Sequence, residues 1–441
     1  MAIATPAGEG AVGVVRVSGP NAVTVVQPLV GTSTVLAALP PRRLTRVALI
    51  DPRTGSAVDD ALCAVMPGPA SYTGEDVVEL SCHGSPALLR LVVERIIESG
   101  ARLAEPGEFT RRAFLNGRID LVQAEAVALL VGARTERAVT LAARALAGGL
   151  SERLRGVHEA LLDVVSGLEV TLDFPDEHVG LDVEGAIKAV TGLADDVGRL
   201  LAAARRERLV YEGLTVALVG PPNAGKSSLL NALLGRDRAI VSPEPGTTRD
   251  IVEGGLVVDG IAVRLLDTAG LGAAQDTIDA EGMRRTRLAI AESDLLLVIQ
   301  DGSVPVDVTV LAETAGHARV LVQAKSDLGG HPSHQALEAV AVSALTGEGL
   351  DRLLAAIGHA VRVDAEIHGD EIAVVTSLRQ TELLDALHRA LEQGADALVN
   401  SPLEAALVDL REAMSIVSGM LGLTIDNAVL DRIFATFCLG K

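Results

Sequence analysis

The sequence predicts a multidomain chain of α/β and all-α parts: an α/β domain at the N-terminus, a helical bundle interrupted in sequence, and a P-loop nucleotide domain inserted into that bundle. Three observations predict it. Residues 220–228 read GPPNAGKSS, between an apolar run at 214–219 and a helix-like stretch at 228–234, which is the order strand, loop, helix. Helical spacing of apolar residues holds on both sides of that domain, and short apolar runs broken by Gly and Pro fill the first part of the chain. The expected domain bounds are 1–117, 118–210, 211–365 and 366–441.

In the first domain, 12–17, 61–66 and 77–80 are short apolar runs and 86–97 has helical spacing. Three punctuated stretches stand out: VGVVRVSG around Arg16, SYTGEDVVELSCHGS around Glu79 and PGEFTRRAFLNGR around Arg118. Composition alone reads each as a loop or a solvated charge before it reads a site. Cys82 beside His83 reads as a buried thiol next to a turn histidine, ahead of thiol chemistry.

From 119 to 210 the period becomes helical. Leu150, Leu154, Val157, Leu161, Val165 and Leu168 step by three or four, which aligns them on one face, and Pro175 ends that run. A second helical stretch leads to RRERL at 205–209, an arginine cluster that reads first as a solvated helix face. Beyond the nucleotide domain, Leu407, Leu410, Met414, Val417 and Leu421 form one stripe, and Ile425, Val429, Ile433 and Phe437 form another. The economical arrangement packs the two helical stretches together, with the nucleotide domain between them in sequence.

At 441 residues the chain has room for two or three cores. No uninterrupted apolar run reaches membrane-spanning length and MAIATPAGEG lacks the layout of a signal peptide, so a soluble cytoplasmic protein is expected. Cys63, Cys82 and Cys438 lie far apart and are expected as free thiols. A net charge of −20 opposes unspecific adhesion to nucleic acid, so any RNA contact requires a local basic patch or a partner. Aromatics at 2 %, with no Trp, argue against a base-stacking platform.

The nucleotide domain carries the chemistry. Gly220, Gly225, Lys226 and Ser227 fit G-x-x-x-x-G-K-[ST], where backbone N–H groups close around phosphate oxygens, the lysine reaches the outer phosphates and the hydroxyl faces Mg²⁺. Lys and Arg together number 38, but the only lysines are Lys188, Lys226, Lys325 and Lys441, three of them in motif-like stretches. Those positions ask for a compact ammonium where the chain otherwise uses arginine. PEPGTTRD at 243–250 offers Thr248 to Mg²⁺, RLLDTAG at 264–270 ends a strand in Asp267 and supplies the N–H of Gly270, and VLVQAKSD at 320–327 sets Lys325 and Asp327 at a strand end to cover and read a base.

The order and spacing of these elements resemble the Ras-like GTPase superfamily, which implies guanine as the base. The base-reading motif departs from that family's Asn-Lys-x-Asp, with Ala324 in place of Asn, so one bridging amide is lost and Asp327 keeps the discrimination against adenine. VSAL at 342–345 is the expected base-covering loop. After Gly270 comes Leu271 in place of a water-orienting Gln, and the nearest carboxylates are Asp276, Asp279 and Glu281. The expected nucleotide contacts are Asn223, Ala224, Gly225, Lys226, Ser227 and Ser228; Ser242, Gly246, Thr247 and Thr248; Asp267, Thr268, Ala269 and Gly270; Ala324, Lys325, Ser326 and Asp327; and Ser343, Ala344 and Leu345.

From end to end the chain also resembles the MnmE (TrmE) family of tRNA-modifying GTPases, through VGVVRVSG, YTGEDVVEL, PGEFTRRAFLNGRIDLVQAEAV, PNAGKSSLLNAL, GTTRD and the final FCLGK. The resemblance implies a tetrahydrofolate-binding-like N-terminal domain that forms a homodimer, and a helical domain that receives the C-terminal tail. It implies a 5-formyltetrahydrofolate (or related folate) pocket at Arg16, Glu79, Arg118 and Lys441, with Cys438 beside it. It implies Mg²⁺ at Ser227 and Thr248, K⁺ at Asn223, Ser242 and Thr247 in place of an arginine finger, and catalysis by Lys226, Thr248 and Asp279, with Glu281 the substitute for Asp279 as water-aligning carboxylate. Finally, it implies a FAD-dependent partner enzyme, in a heterotetramer, acting on the wobble uridine of certain tRNAs. A ribosome-assembly GTPase switch without modification activity is the rival reading, and it would ordinarily append a basic RNA-binding module that the sequence does not display. A dynamin-like membrane GTPase would need a basic or strongly amphipathic membrane segment, also not evident.

Overall fold

The computed structural model describes residues 1–32, 34–174, 182–235, 239–240, 253–268, 286–362, 377–438 and 440. Their contacts divide into two compact units, one of Met1–Val131, Ala143–Val197 and Glu382–Lys441, the other of Gly132–Ala142 and Gly198–Thr381.

The first unit opens with an antiparallel sheet of β1 (Ala2–Ile3), β2 (Gly10–Ser18), β3 (Thr45–Ile50), β4 (Ala57–Met66) and β5 (Val77–Gly84), in the order β1-β2-β5-β4-β3. Alternation decides its faces. Val15, Val17, Val78, Leu80 and Cys82 point into a core shared with Val26 and Leu29 of helix Ala22–Val30 and with Leu89, Val92 and Ile96 of helix Pro86–Glu98. Arg16 and Glu79 are partners in the β2–β5 register. Two of the charges that composition reads as loop residues lie in elements, Arg16 and Glu79 within strands; in the third stretch PGEFTRR contributes the helix Glu108–Leu115, whose Glu108 is buried, while Arg118 is exposed in the loop that follows, as composition reads it. His83, expected in a turn, is a strand residue opposite Val12.

The long stripe behaves as its spacing predicts. Helix Gly149–Asp173 buries Leu150, Leu154, Val157, Leu161, Val165 and Leu168, and Arg411 of helix Leu403–Leu421 donates to its Glu169 at 2.6 Å. Helical segments from either side of the nucleotide domain thus pack within one unit. The last stripe holds except at Val429. Ile433 and Phe437 are buried with Leu430 and Phe434 against Leu121, Ala124 and Val127, and Ile425 packs on the same cluster although it precedes helix Asn427–Ala435, whose N-cap is Asp426; Val429 is exposed. Pro175 lies outside the described residues.

The second unit is built on β6 (Leu214–Val219), β7 (Ala239–Ile240), β8 (Glu253–Val258), β9 (Ile261–Asp267), β10 (Leu295–Asp301), β11 (Arg319–Ala324) and β12 (Val340–Ala341), in the order β12-β11-β10-β6-β9-β8-β7. The pairs from β12 through β9 are parallel, whereas β8 and β7 join antiparallel at one edge. β10 is buried along Leu295–Gln300, as a strand covered on both faces must be. The carboxyl ends of β6, β9, β10 and β11 are where such a sheet places its ligands. Among the described residues, no helix is long and apolar enough to cross a membrane.

Candidate functional sites at the P-loop and at the C-terminal tail

The P-loop leaves β6 and enters helix Lys226–Leu234 through two left-handed residues, Asn223 at φ 61° and Gly225 at φ 98°. Gly220 has no room for a side chain, since a Cβ there would sit 2.3 Å from the Ile299 carbonyl oxygen of β10. The loop is thereby pressed onto the sheet. Lys226 is buried inside the curve and its Nζ donates to the carbonyls of Gly220 (3.1 Å) and Pro221 (2.9 Å). Burial lowers the pKa of this ammonium, and the Asp267 carboxylate works against that shift.

The β6–β9 register pairs Leu218 with Asp267, so the end of β9 lies against the P-loop. Ser227 Oγ donates to Asp267 Oδ2 at 2.6 Å, while Asp267 Oδ1 is buried with no hydrogen-bond partner. A hydroxyl and a carboxylate with an unmatched buried oxygen are a donor set suited to a hydrated divalent cation. Thr268 is also buried and donates to the Leu218 carbonyl at 2.7 Å, which locks the strand end.

The loop expected to read the base follows β11. Ala324 is buried, Lys325 is left-handed at φ 57°, and the Ser326 N–H donates to the Val342 carbonyl at 3.1 Å. Asp327 is exposed in the turn Ser326–Leu328. In the following loop Ser343 is buried, its N–H donating to the Glu348 carbonyl and its Oγ accepting from the Thr346 N–H, with Ala344 half-buried and Leu345 86 % exposed. Ser228 is exposed on the first turn of the P-loop helix. The structure thus brings the P-loop, Asp267 and the base loop to one end of the sheet. Ser242, Gly246, Thr247, Thr248, Ala269, Gly270, Asp279 and Glu281 lie outside the described residues.

In the first unit, a second constellation forms around Arg16. Its Nε donates to Glu79 Oε1 at 2.6 Å, its Nη1 donates to the Gly440 carbonyl at 3.0 Å, and its Cζ lies 5.6 Å from the Phe109 ring centroid. The two charged side chains are 20 % and 27 % exposed, so this ion pair is half-buried. Gly440 is left-handed at φ 90°, and a Cβ there would meet the Ile3 carbonyl oxygen at 2.7 Å and Ala4 Cα at 2.9 Å. Only glycine suits both demands. Gly107 N–H reaches the Cys438 carbonyl at 3.5 Å, and Cys438 is an exposed free thiol. Arg118 is exposed beside Gly74, and Lys441 lies outside the described residues.

A charge network braces this side. Arg112 donates to Glu75 (2.7 Å) and Glu108 (2.6 Å), and Arg102 donates to Glu108 (2.6 Å). Burial by itself pushes the Glu108 carboxyl up, but Arg102, the Glu105 N–H and Arg112 outweigh it and hold the group at about 2. Burial pushes the Cys63 thiol up to about 11 and Cys82 to about 12, so neither is a nucleophile near neutrality.

Phe109, Gly440 and Asp301 escaped the sequence reading. Asp301 accepts from Lys325 Nζ at 2.6 Å, and its one signal is its position as the acid that closes the apolar run of β10. For the other two, the sequence signal was confined to the motifs around them.

Comparison with known proteins places these geometries in a lineage. The model described as GTP-binding protein TrmE N-terminus matches residues 1–118, and the MnmE helical domain model matches residues 121–438. Proteins named tRNA modification GTPase MnmE from Koribacter versatilis, Syntrophobacter fumaroxidans and Symbiobacterium thermophilum are 40 %, 41 % and 42 % identical, each covering 100 % of this chain and 97–98 % of the relative. Among solved structures, the G domain of the T. maritima FeoB iron transporter is 28 % identical over 35 % of this chain and 99 % of that one, with a TM-score of 0.28. Both family models and the end-to-end identity agree with a P-loop domain that falls, in sequence, between two helical segments of the other unit: the chain belongs to the MnmE family, whose named members are tRNA modification GTPases.

Proposed function

We propose that this protein is a GTP hydrolase acting in tRNA modification, and that it serves to install a carboxymethylaminomethyl- or aminomethyl-type group at C5 of the wobble uridine of certain tRNAs. The observation that carries the reading is the convergence of Lys226, Ser227 and Asp267 at the end of β6 in a chain aligned end to end with MnmE relatives. The domain division is 1–117, 118–210, 211–365 and 366–441, with the first domain folate-binding and dimeric.

Lys226 would neutralise the outer phosphates from within the loop, and P-loop N–H groups would hold the phosphate oxygens. Ser227 and Thr248 would hold Mg²⁺, with Asp267 reaching it through water; the unpartnered Asp267 Oδ1 supports this assignment. When bound, Mg²⁺ and K⁺ supply positive charge to the phosphates undergoing transfer. Asn223, with Ser242 and Thr247, would hold K⁺. Asp327 accepts from the guanine edge, the Lys325 stem covers the ring, and Asp279 orients the attacking water.

Arg16, Glu79, Arg118 and Lys441 would bind 5-formyltetrahydrofolate as one-carbon donor. A guanidinium–carboxylate pair beside an aromatic ring suits a flat ligand bearing amide and amino groups. Cys438 would sit close to that donor. A FAD-dependent partner, in a heterotetramer with the homodimer, would supply much of the tRNA-binding surface that a net charge of −20 withholds. The cytoplasm is the compartment this chemistry requires.

The purified chain should hydrolyse GTP with Mg²⁺ and K⁺, lose most of that activity when Na⁺ replaces K⁺, and lose it entirely as Lys226→Ala. Hydrolysis indifferent to Lys226 would sink the P-loop assignment. Hydrolysis indifferent to the monovalent ion would remove K⁺ from it.

A further inference from the structure

The base-reading loop has lost the amide that Asn would supply at position 324, yet it is held to the P-loop. Lys325 Nζ donates to Asp301 Oδ2 at 2.6 Å and to the Asn223 carbonyl at 3.0 Å. Both Asn223 and Lys325 are left-handed non-glycine residues, at φ 61° and 57°, a disfavoured conformation that contacts from outside help to hold. The bond between them joins two such positions. The two loops lie side by side: a Cβ on Gly225 would stand at ordinary van der Waals distance from the Ala324 Cβ (3.8 Å) and Lys325 Cε (4.0 Å).

Asp301 is built for this task. It closes β10, pairs in register with Ala324 of β11, and is followed by Gly302, whose N–H donates to the Ala324 carbonyl at 2.9 Å. Its Oδ1 accepts from the N–H (3.0 Å) and the Oγ (2.6 Å) of Ser303, which fixes the carboxylate plane and aims Oδ2 at the ammonium. Its side chain is only 14 % exposed, so the ion pair is less screened than a surface one. Burial alone would raise the Asp301 pKa; Lys325 and Ser303 outweigh it and hold the group below the usual carboxylate range.

We propose that Asp301 is a positioning residue for nucleotide binding: through Lys325 it pins the base-reading loop to the P-loop carbonyl of Asn223 and slows nucleotide release, offsetting the missing Asn at position 324. In this role Asp301 acts only through Lys325. The inference rests on the guanine-nucleotide reading above, and wild-type GDP binding checks that reading separately: if the intact chain binds no GDP, the function falls before the tether is tested.

The test is stopped-flow dissociation and association of a fluorescent GDP with wild type, Asp301→Ala, the near-isosteric Asp301→Asn, Lys325→Ala and the Asp301→Ala/Lys325→Ala double variant. Loss of a charge-assisted bond predicts dissociation about tenfold faster in Asp301→Ala and less so in Asp301→Asn, with association changed by less than about twofold. The double variant should release GDP at the rate of Lys325→Ala alone, because both changes break one tether. A merely structural Asp301 would give multiplicative effects in the double variant. That outcome, or Asp301→Ala and Asp301→Asn within about twofold of wild type in dissociation, overturns the proposal. Should Asp301→Ala fail to fold, Asp301→Asn and its double variant with Lys325→Ala carry the same comparison.

Discussion

The P-loop site and the tail clasp are assembled in opposite ways. Along the P-loop, most of the site is contiguous: Asn223 to Ser228 are neighbours in sequence, and Asp267 arrives because β9 is hydrogen-bonded to β6. At the tail, nothing is contiguous. Arg16 meets Glu79 across 63 residues and Gly440 across 424, and the meeting depends on strand register on one side and on the docking of a chain end on the other. The first kind of site is sensitive to its own residues; the second is sensitive to the fold that delivers them.

The largest effect that separates the two should come from Lys226→Ala. It removes the buried ammonium and should lower GTP turnover by at least about a hundredfold, while the hydrogen-exchange protection of the tail stays at its wild-type level. A loss of tail protection in this variant would mean that the two sites are not separable. Next come substitutions in the clasp. Gly440→Ala forces a Cβ onto the Ile3 carbonyl in a left-handed backbone, and Arg16→Ala leaves Glu79 half-buried without its partner. Each should cost about 1–3 kcal/mol of local docking and speed exchange at the tail amides by about tenfold or more. Unchanged protection in both would show that the clasp does not hold the tail.

Ala324→Asn should have a smaller effect, tightening GDP binding by about fivefold, or about 1 kcal/mol, by restoring one bridging amide. Calorimetry with no change would refute that account of the motif. An effect confined to acid belongs to Glu108. Its folded pKa, about 2, lies below its ordinary 4.5, so its stabilisation is complete above about pH 4.5 and is lost as pH falls toward 2. Glu108→Gln should flatten that part of the acid unfolding curve of the N-terminal domain, followed by circular dichroism; an acid limb identical to wild type would put the acid sensitivity elsewhere.

The same contrast explains what could be read without coordinates. The P-loop, the Asp267 strand end and the Lys325–Asp327 turn are local patterns with fixed offsets, so spacing sufficed to find them. The stripe from Leu150 to Leu168 was legible because one continuous helix keeps its phase. The stripe from Ile425 to Phe437 was legible except at Val429: the N-cap at Asp426 starts the helix within it, so the buried face runs through Leu430, Ile433, Phe434 and Phe437 and leaves Val429 exposed. Arg16 and Glu79 looked like loop charges because an arginine or glutamate inside an apolar run has no obvious partner in one dimension. Strand alternation places them on the face away from the Val15–Leu80 core, where register makes them neighbours. Asp301 was overlooked for the same reason, since its role exists only once β10 and β11 lie side by side.

The most direct test of the whole account is nucleoside analysis of tRNA from a strain lacking this gene, complemented with the intact chain or with Lys226→Ala. The modified wobble uridine should disappear in the deletion and return only with the intact chain. Persistence of the modification in the deletion strain would contradict a role in tRNA modification, and full restoration by Lys226→Ala would contradict its dependence on GTP.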